Sequence, residues 1–270
     1  MEVDIPLAID QSILSKLPKW YLHLNSNNYL VLSNDFDSYL SCNFLKNKFE
    51  VEIGGFYSFD KGLYLNKERT RNKSPVYVDL SICYGMTFDN HTSFIPNPLA
   101  VNPNIKADAY HKRYNGGTLP LILSIYESDF SKFNEDQLTA LLCVDAWYKG
   151  YYNCDGKFRH INLYWYEALG YKGLFEPILK SHDAQYFIDF ALNTKLTEEI
   201  YIDEHGYLYS AVKNIELPTY KFDLVQPVTK IKATKEEAMR KYEYNPDAIF
   251  VSAETYQNSY ILNLKSNLIN

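Results

Sequence analysis

An α/β fold, with a mostly parallel sheet flanked by helices and a small α+β domain at its C-terminal end, is predicted by three features of the sequence. Short apolar runs recur, of the kind shown by strands buried on both faces. Three such runs lead into aspartate: residues 29–32 are followed by Asp35 and Asp37, 76–78 by Asp79, and 141–144 by Asp145. Between them lie stretches with helical spacing, so that strand and helix alternate.

Taken in order, residues 1–28 read as a helical or irregular lead-in, with Ile13, Leu14 and Leu17 ahead of the breaker Pro18. Residues 29–32 read as a strand that ends in the turn Ser33-Asn34-Asp35-Phe36-Asp37-Ser38, and 39–49 carry apolar residues at helical spacing. Asp35 and Asp37 stand at i and i+2 on that turn, where both can enter a crevice at the strand's carboxyl end. A single carboxylate would do for capping the helix. Residues 50–56 read as a strand, and 60–74 as a polar loop with a basic cluster at Lys67, Arg69, Arg71 and Lys73. A strand up to Asp79 follows, then Asp89-Asn90-His91, a short strand at 99–101, and the Asn97-Pro98 and Asn102-Pro103 turns. After a basic stretch (His111, Lys112, Arg113), Gly116-Gly117-Thr118 opens a helix over 119–126, where paired glycines can expose backbone N–H groups to an anion. Residues 136–144 deliver Asp145, 162–179 are aromatic and helical, and 183–199 form one more helix. From about residue 200 the texture changes to a hairpin around Glu204-His205-Gly206, a strand at 220–233, a helix at 235–242 and a strand pair at 248–252 and 259–264. The predicted division is a core at 1–195 and a small domain at 200–270.

Bulk composition narrows the function classes. The chain has 270 residues, 46% of them hydrophobic, enough for one large domain or a core with a small second one. A net charge of −6 gives no overall basic footprint, which argues against passive coating of nucleic acid but leaves room for a local groove. None of Cys42, Cys83, Cys143 and Cys154 forms a CxxC pair; they read as reduced thiols of a cytoplasmic protein, the first three within or beside apolar runs. The first ten residues lack the basic and apolar regions of a signal peptide, and no run approaches the roughly 18 apolar residues that span a bilayer. His23, His160, His182 and His205 have no acidic company at ligand spacing, and Trp147 reads as core.

Gathered together, Asp35, Asp37, Asp79, Asp89 and Asp145 with His91 form a set that suits a hard or borderline divalent cation, Mn²⁺ or Mg²⁺. A pair of such ions about 4 Å apart activates water and clamps a phosphoryl oxygen, which is the chemistry of phosphoester hydrolysis.

The order of these motifs resembles the DHH phosphoesterase superfamily, and within it the RecJ-like exonucleases. The resemblance covers residues 29 to about 150. The first motif is the strand followed by Asp35-Phe36-Asp37-Ser38-Tyr39-Leu40-Ser41; the second is Val76-Tyr77-Val78-Asp79; the third is Asp89-Asn90-His91, with Asn90 in place of the family's first histidine and Ser38 in place of its usual glycine. Val101-Asn102-Pro103-Asn104, Gly116-Gly117-Thr118 and Cys143-Val144-Asp145 follow in the family's order. The resemblance implies a DHH-like core and one or two Mn²⁺ or Mg²⁺ ions held by Asp35, Asp37, Asp79, Asn90 and Asp145, with Asp79 as the bridge. His91 would face substrate phosphate, and Asp89 would orient its neighbours. Lys112, Arg113, Gly116 and Gly117 are the candidate substrate contacts. The implied substrate is single-stranded or short oligonucleotide, or another nucleotide, with no membrane partner. Residues 247–266 look like part of the family's smaller substrate-binding domain, without its glycine-rich segment. Two other readings stand beside this: a catalytically inactive DHH-fold binding module for nucleic acid or protein, and an unrelated α/β protein whose acids are caps and surface charges.

Overall fold

Strand β1 (Asn28–Leu32) lies mid-sheet because its apolar run is wrapped on both faces: Leu30, Val31 and Leu32 are fully buried. The computed structural model describes residues 9–104, 110–126 and 129–266, with Tyr110 and Cys154 described by backbone only. The readings made on residues 1–8 and 105–109 lie outside these. Ahead of β1 come α1 (Gln11–Leu14) and a 3₁₀ turn at Lys19–His23. After it follow α2 (Phe36–Phe49), β2 (Glu52–Ser58), β3 (Gly62–Leu65), α3 (Lys67–Thr70), β4 (Ser74–Val78), β5 (Thr87–Phe88) and β6 (Ala100–Val101). A helical layer is then built from α4 (Thr118–Tyr126), α5 (Glu135–Cys143), α6 (Lys149–Tyr152), α7 (Arg159–Ala168), α8 (Lys172–Ser181) and α9 (Ala184–Asn193). The chain continues with β7 (Ile200–Ile202) and β8 (Leu208–Ser210), the hairpin expected around His205, then β9 (Asp223–Thr234), α10 (Lys235–Tyr244), β10 (Ile249–Tyr256) and β11 (Ser259–Lys265).

Nine strands form one sheet in the order β10-β11-β9-β3-β2-β1-β4-β5-β6. The half from β2 to β6 is parallel, and β3, β9, β11 and β10 extend it antiparallel. The stretch 60–74, expected as a loop, carries β3 and α3. It is polar because β3 is a short strand between β2 and β9, with its outer residues half-exposed. Residues 223–265 therefore hydrogen-bond directly to the N-terminal sheet through β3.

The sheet curls back on itself. The far strand β10 reaches the loop after β4, where Ile82 bridges Val251, Ser252 N–H donates to the Ser81 carbonyl and Cys83 N–H donates to the Phe250 carbonyl. One face of the parallel half packs on the helices, with Leu30, Leu32, Val76 and Val78 against residues of α2, α4 and α5. The other face, with Tyr29, Val31, Tyr77 and Leu80, packs on Val251 inside the curl. Burial on both faces is what gives parallel strands their unbroken apolar runs. Helix α4 is buried from Thr118 to Ile125 and needs no polar face. Cys42, Cys83 and Cys143 are buried free thiols, and Trp147 is fully buried core. Among the described residues no helix is long and apolar enough to cross a membrane.

Candidate metal centre

The carboxyl ends of the parallel strands converge on one cleft. Asp35 and Asp37 follow β1, Asp79 follows β4, Asp89, Asn90 and His91 follow β5, and Asn102 follows β6. This is the crevice where open α/β sheets bind ligands. Asp145 arrives from the helical layer, two residues beyond α5.

Each aspartate is placed by a local device. Asp35 is the N-cap of α2: its Oδ1 accepts from Ser38 N–H at 2.9 Å. Its carboxylate also stands within hydrogen-bonding reach of Asp79. The capping and site roles fall on the same residue. Asp37 is buried, and its two oxygens accept from Thr118 N–H (2.5 Å) and Leu119 N–H (2.7 Å), the opening amides of α4. The anion held at that helix N-terminus is thus Asp37, and Gly116 and Gly117, expected as substrate contacts, stand in close approach to other side chains of this chain. A Cβ on Gly117 would lie 2.6 Å from Asp37 Oδ2, and one on Gly116 would lie 2.5 Å from the Trp147 ring. Asp79 sits at φ 58, a left-handed conformation that Asp adopts more readily than most residues. Its Oδ1 accepts from Thr118 Oγ1 at 2.7 Å. Ser38 uses its hydroxyl as a brace: it accepts from Ser33 N–H and donates to the Val78 carbonyl, joining the ends of β1 and β4.

The Asp89-Asn90-His91 segment is held from below by asparagines. Asn90 Nδ2 donates to Asp145 Oδ2 at 2.8 Å and to the Gly116 carbonyl at 2.6 Å. Its Oδ1 lies 3.5 Å from Thr118 Oγ1. Asp89 Oδ1 meets His91 Nδ1 at 2.8 Å, and its Oδ2 accepts from Asn102 at 2.9 Å. With Nδ1 taken, the outward nitrogen of His91 is Nε2. Asn104 ties the Asn90 carbonyl to Tyr114. Asp79, Asp89 and His91 each bring a ligand atom within 4.8 Å of the others.

Burial, and then the crowding of like charges, raises the carboxylates of the group. Burial first, and then the charge and hydrogen bond of Asp79, hold Asp35 well above the usual carboxylate range. Burial and the charges of Asp145 and Asp35 do the same to Asp37. Asp79 is raised to about 7, by burial and then by Asp37, with His91 pulling the other way. Burial also raises Asp145, opposed by His91, Asn90, Arg113 and Lys149; solvent reaches its side chain along the cleft, so it keeps its charge most readily of the four. Burial works against a charged His91, but the Asp89 hydrogen bond and charge, with Asp79 and Asp145, overcome it and raise it to about 10. With Asp37 and Asp79 buried and Asp35 and Asp145 beside them, full ionisation of the group is disfavoured unless a cation joins it. A set of carboxylate oxygens with one imidazole beside them is of the kind that suits Mn²⁺ or Mg²⁺.

The basic candidates divide. Arg113 lies beside the cleft, its Nη1 donating to Thr92 Oγ1 (3.2 Å) and to the Glu254 carbonyl (3.4 Å). Lys112 is exposed, and its carbonyl accepts from Trp165 Nε1. The 67–73 cluster, read as a possible phosphate guide, sits at the opposite end of the strands, because α3 precedes β4. Its Arg69 pairs with Glu52, the first residue of β2, and lies over the Tyr220 ring. Of the other histidines, His182 stacks on Tyr186 and His205 is exposed in its turn.

Sequence reasoning missed Thr118, Asn102 and Asn104 as parts of this site. Thr118 carried a signal, a hydroxyl directly after the paired glycines at a helix start. The asparagines stand in the sequence as turn residues and as the Asn-Pro segment of the resemblance, with nothing to show which residues their amides hold. In comparisons of the chain with protein-family models, curated proteins and solved structures, none of them matches.

Proposed function

We propose that this protein is a divalent-metal-dependent phosphodiesterase, a nuclease of the RecJ-like DHH kind that acts on single-stranded or short oligonucleotides. The observation that carries the reading is the convergence of Asp35, Asp37, Asp79 and Asp145 in one cleft with Asn90 and His91, where their mutual charge calls for a cation. Asp35, Asp37, Asp79 and Asp145, with Asn90 Oδ1, would hold one or two Mn²⁺ or Mg²⁺ ions. Bound there, the metal would supply Lewis acidity and a water acidic enough to attack phosphorus at neutral pH.

The chain's own residues do the rest. Thr118 fixes the Asp79 carboxylate, and the opening amides of α4 fix Asp37, so the donors are preorganised. Asp89 holds His91 by Nδ1, which leaves Nε2–H to donate to a phosphate oxygen. As an imidazolium it also balances charge that builds on that phosphate. Arg113 adds positive charge on the same side.

The test is hydrolysis of single-stranded DNA, RNA, dinucleotides and cyclic dinucleotides by the purified protein with Mn²⁺. Cleavage of at least one, abolished by EDTA, is the expected result, and a protein that leaves all of them intact is no phosphodiesterase. A second reading, an inactive binding module with the same architecture, draws on Asn90: its amide already ties Asp145 to the Gly116 carbonyl and closes the loop without a metal. Oligonucleotide binding that is indifferent to Mn²⁺, with no Mn²⁺ heat in calorimetry, would favour the module.

A further inference from the structure

Beside the carboxylate centre lies a cavity of about 500 Å³ to which the proposed chemistry assigns nothing. Its walls are flat and rigid: Pro98 and Pro103 from the two Asn-Pro turns, Leu17 and Pro18 from the lead-in, and Tyr164 and Trp165 of α7. Its polar edges include Lys16 and Asn102. Asn102 is the link to the centre. Its Nδ2 donates to Asp89 Oδ2 and to the His91 carbonyl, and Asp89 holds the His91 ring. The cavity wall is therefore two hydrogen bonds from the imidazole.

The make-up of the walls defines what fits. A mostly apolar cleft of this volume with a few polar groups is the size of a small-molecule site. Trp165 is buried, with its indole N–H donated to the Lys112 carbonyl, and it backs the cavity as a fixed apolar wall. Tyr164 next to it is 55% exposed, so its ring is open to the cavity side, and it meets the ring of Trp165 edge-on at 5.3 Å. Proline and aromatic faces suit a planar aromatic ligand, and every nucleobase has a π-face that stacks on such rings. The Lys16 ammonium at the rim suits a phosphate attached to that ligand.

We propose that this cavity seats a nucleobase, with Tyr164 as its stacking platform, and that the adjoining phosphate is the one presented to His91. The place of that phosphate rests on the phosphodiesterase reading; the base site rests on the cavity alone. Calorimetric titration of the full chain with adenosine in EDTA separates the two, since adenosine carries no phosphate and EDTA removes metal. Adenosine is expected to bind saturably and ribose not at all. Tyr164→Ala, at an exposed position, should weaken adenosine about tenfold or more, and Tyr164→Trp should retain it. No adenosine heat, equal binding of ribose, or an unchanged constant in Tyr164→Ala overturns the proposal. With Mn²⁺, Tyr164→Ala should raise KM for a dinucleotide about tenfold and leave kcat near the wild-type value. Adenosine binding in a protein that hydrolyses nothing keeps the base site and removes the phosphodiesterase reading.

Discussion

Replacing Asp79 by Asn should stabilise the metal-free protein, which is the opposite of what removing a buried hydrogen-bonded group usually does. Asp79 is 4% exposed and held at about 7. In the unfolded chain an aspartate titrates near 3.9, so at pH 8 the ionised side chain costs the folded state about 4 kcal/mol. Asn keeps most of what is favourable: it tolerates the left-handed φ of 58, its Oδ1 can accept from Thr118, and its Nδ2 can donate to Asp35. Burying an amide in place of a carboxylate takes back part of the gain, about 1–3 kcal/mol. The net is about 2 kcal/mol, or a Tm rise of about 4–8 °C for a chain of this size. The assay is thermal unfolding at pH 8 in EDTA and again in excess Mn²⁺. At 100 times Kd, Mn²⁺ should add about 2.7 kcal/mol to the wild type and nothing measurable to Asp79→Asn. A variant that melts below the wild type in EDTA, or that keeps the Mn²⁺ shift, would refute the reasoning.

Gly117→Ala should be costly despite its small size, because the new Cβ would meet Asp37 Oδ2 at 2.6 Å. A loss of about 1–3 kcal/mol in chemical denaturation, with weaker Mn²⁺ binding by calorimetry, is expected; an unchanged Mn²⁺ affinity would separate Asp37 from the metal. Asn90→His should raise Mn²⁺ affinity, since an imidazole is the better donor, and an unchanged affinity would place position 90 outside the coordination shell. The metal-free protein should lose stability as pH rises from 5 to 9. Asp35, Asp37 and Asp79 are raised above the unfolded value, so the folded state binds protons that the unfolded state has released, up to about 7 for Asp79. His91, raised to about 10, contributes stability that is complete below about 6.5 and is lost as pH climbs through 10, in the same direction. Saturating Mn²⁺ should reverse the slope below pH 7, because its ligands must be deprotonated; Tm measured against pH with and without Mn²⁺ checks both.

Much of the parallel half was legible because its physics is local. A strand buried on both faces must be apolar throughout, and β1 and β4 announce themselves in that way, each running into the aspartates it delivers. The turn of α2 was equally plain, with Asp35 as cap and Asp37 two residues further on, in the first turn. What could not be read depends on distant partners. β3 lies in a polar stretch and becomes a strand only through β2 and β9. The basic cluster at 67–73 has the composition of a phosphate guide, but nothing in its own residues says at which end of the sheet it falls. Asn102 and Asn104 act on residues 10 to 14 positions away through single amide groups, a relation without any periodic signal. Gly117 illustrates the reverse. The paired glycines point to backbone N–H groups that meet an anion, and the amides just after them, of Thr118 and Leu119, hold the Asp37 carboxylate of this same chain.

The curl of the sheet has a consequence for the order in which the site is finished during synthesis. Thr92 and Arg113 close against Glu254 on β10, and 141 residues separate Arg113 from that partner. At a translation rate of about 5–20 residues per second, this wall of the cleft waits roughly 7–28 s for its last component after Arg113 has been made. Through that interval the cluster of aspartates emerges without the strand that walls it in, so its carboxylates meet bulk solvent first and are enclosed only afterwards.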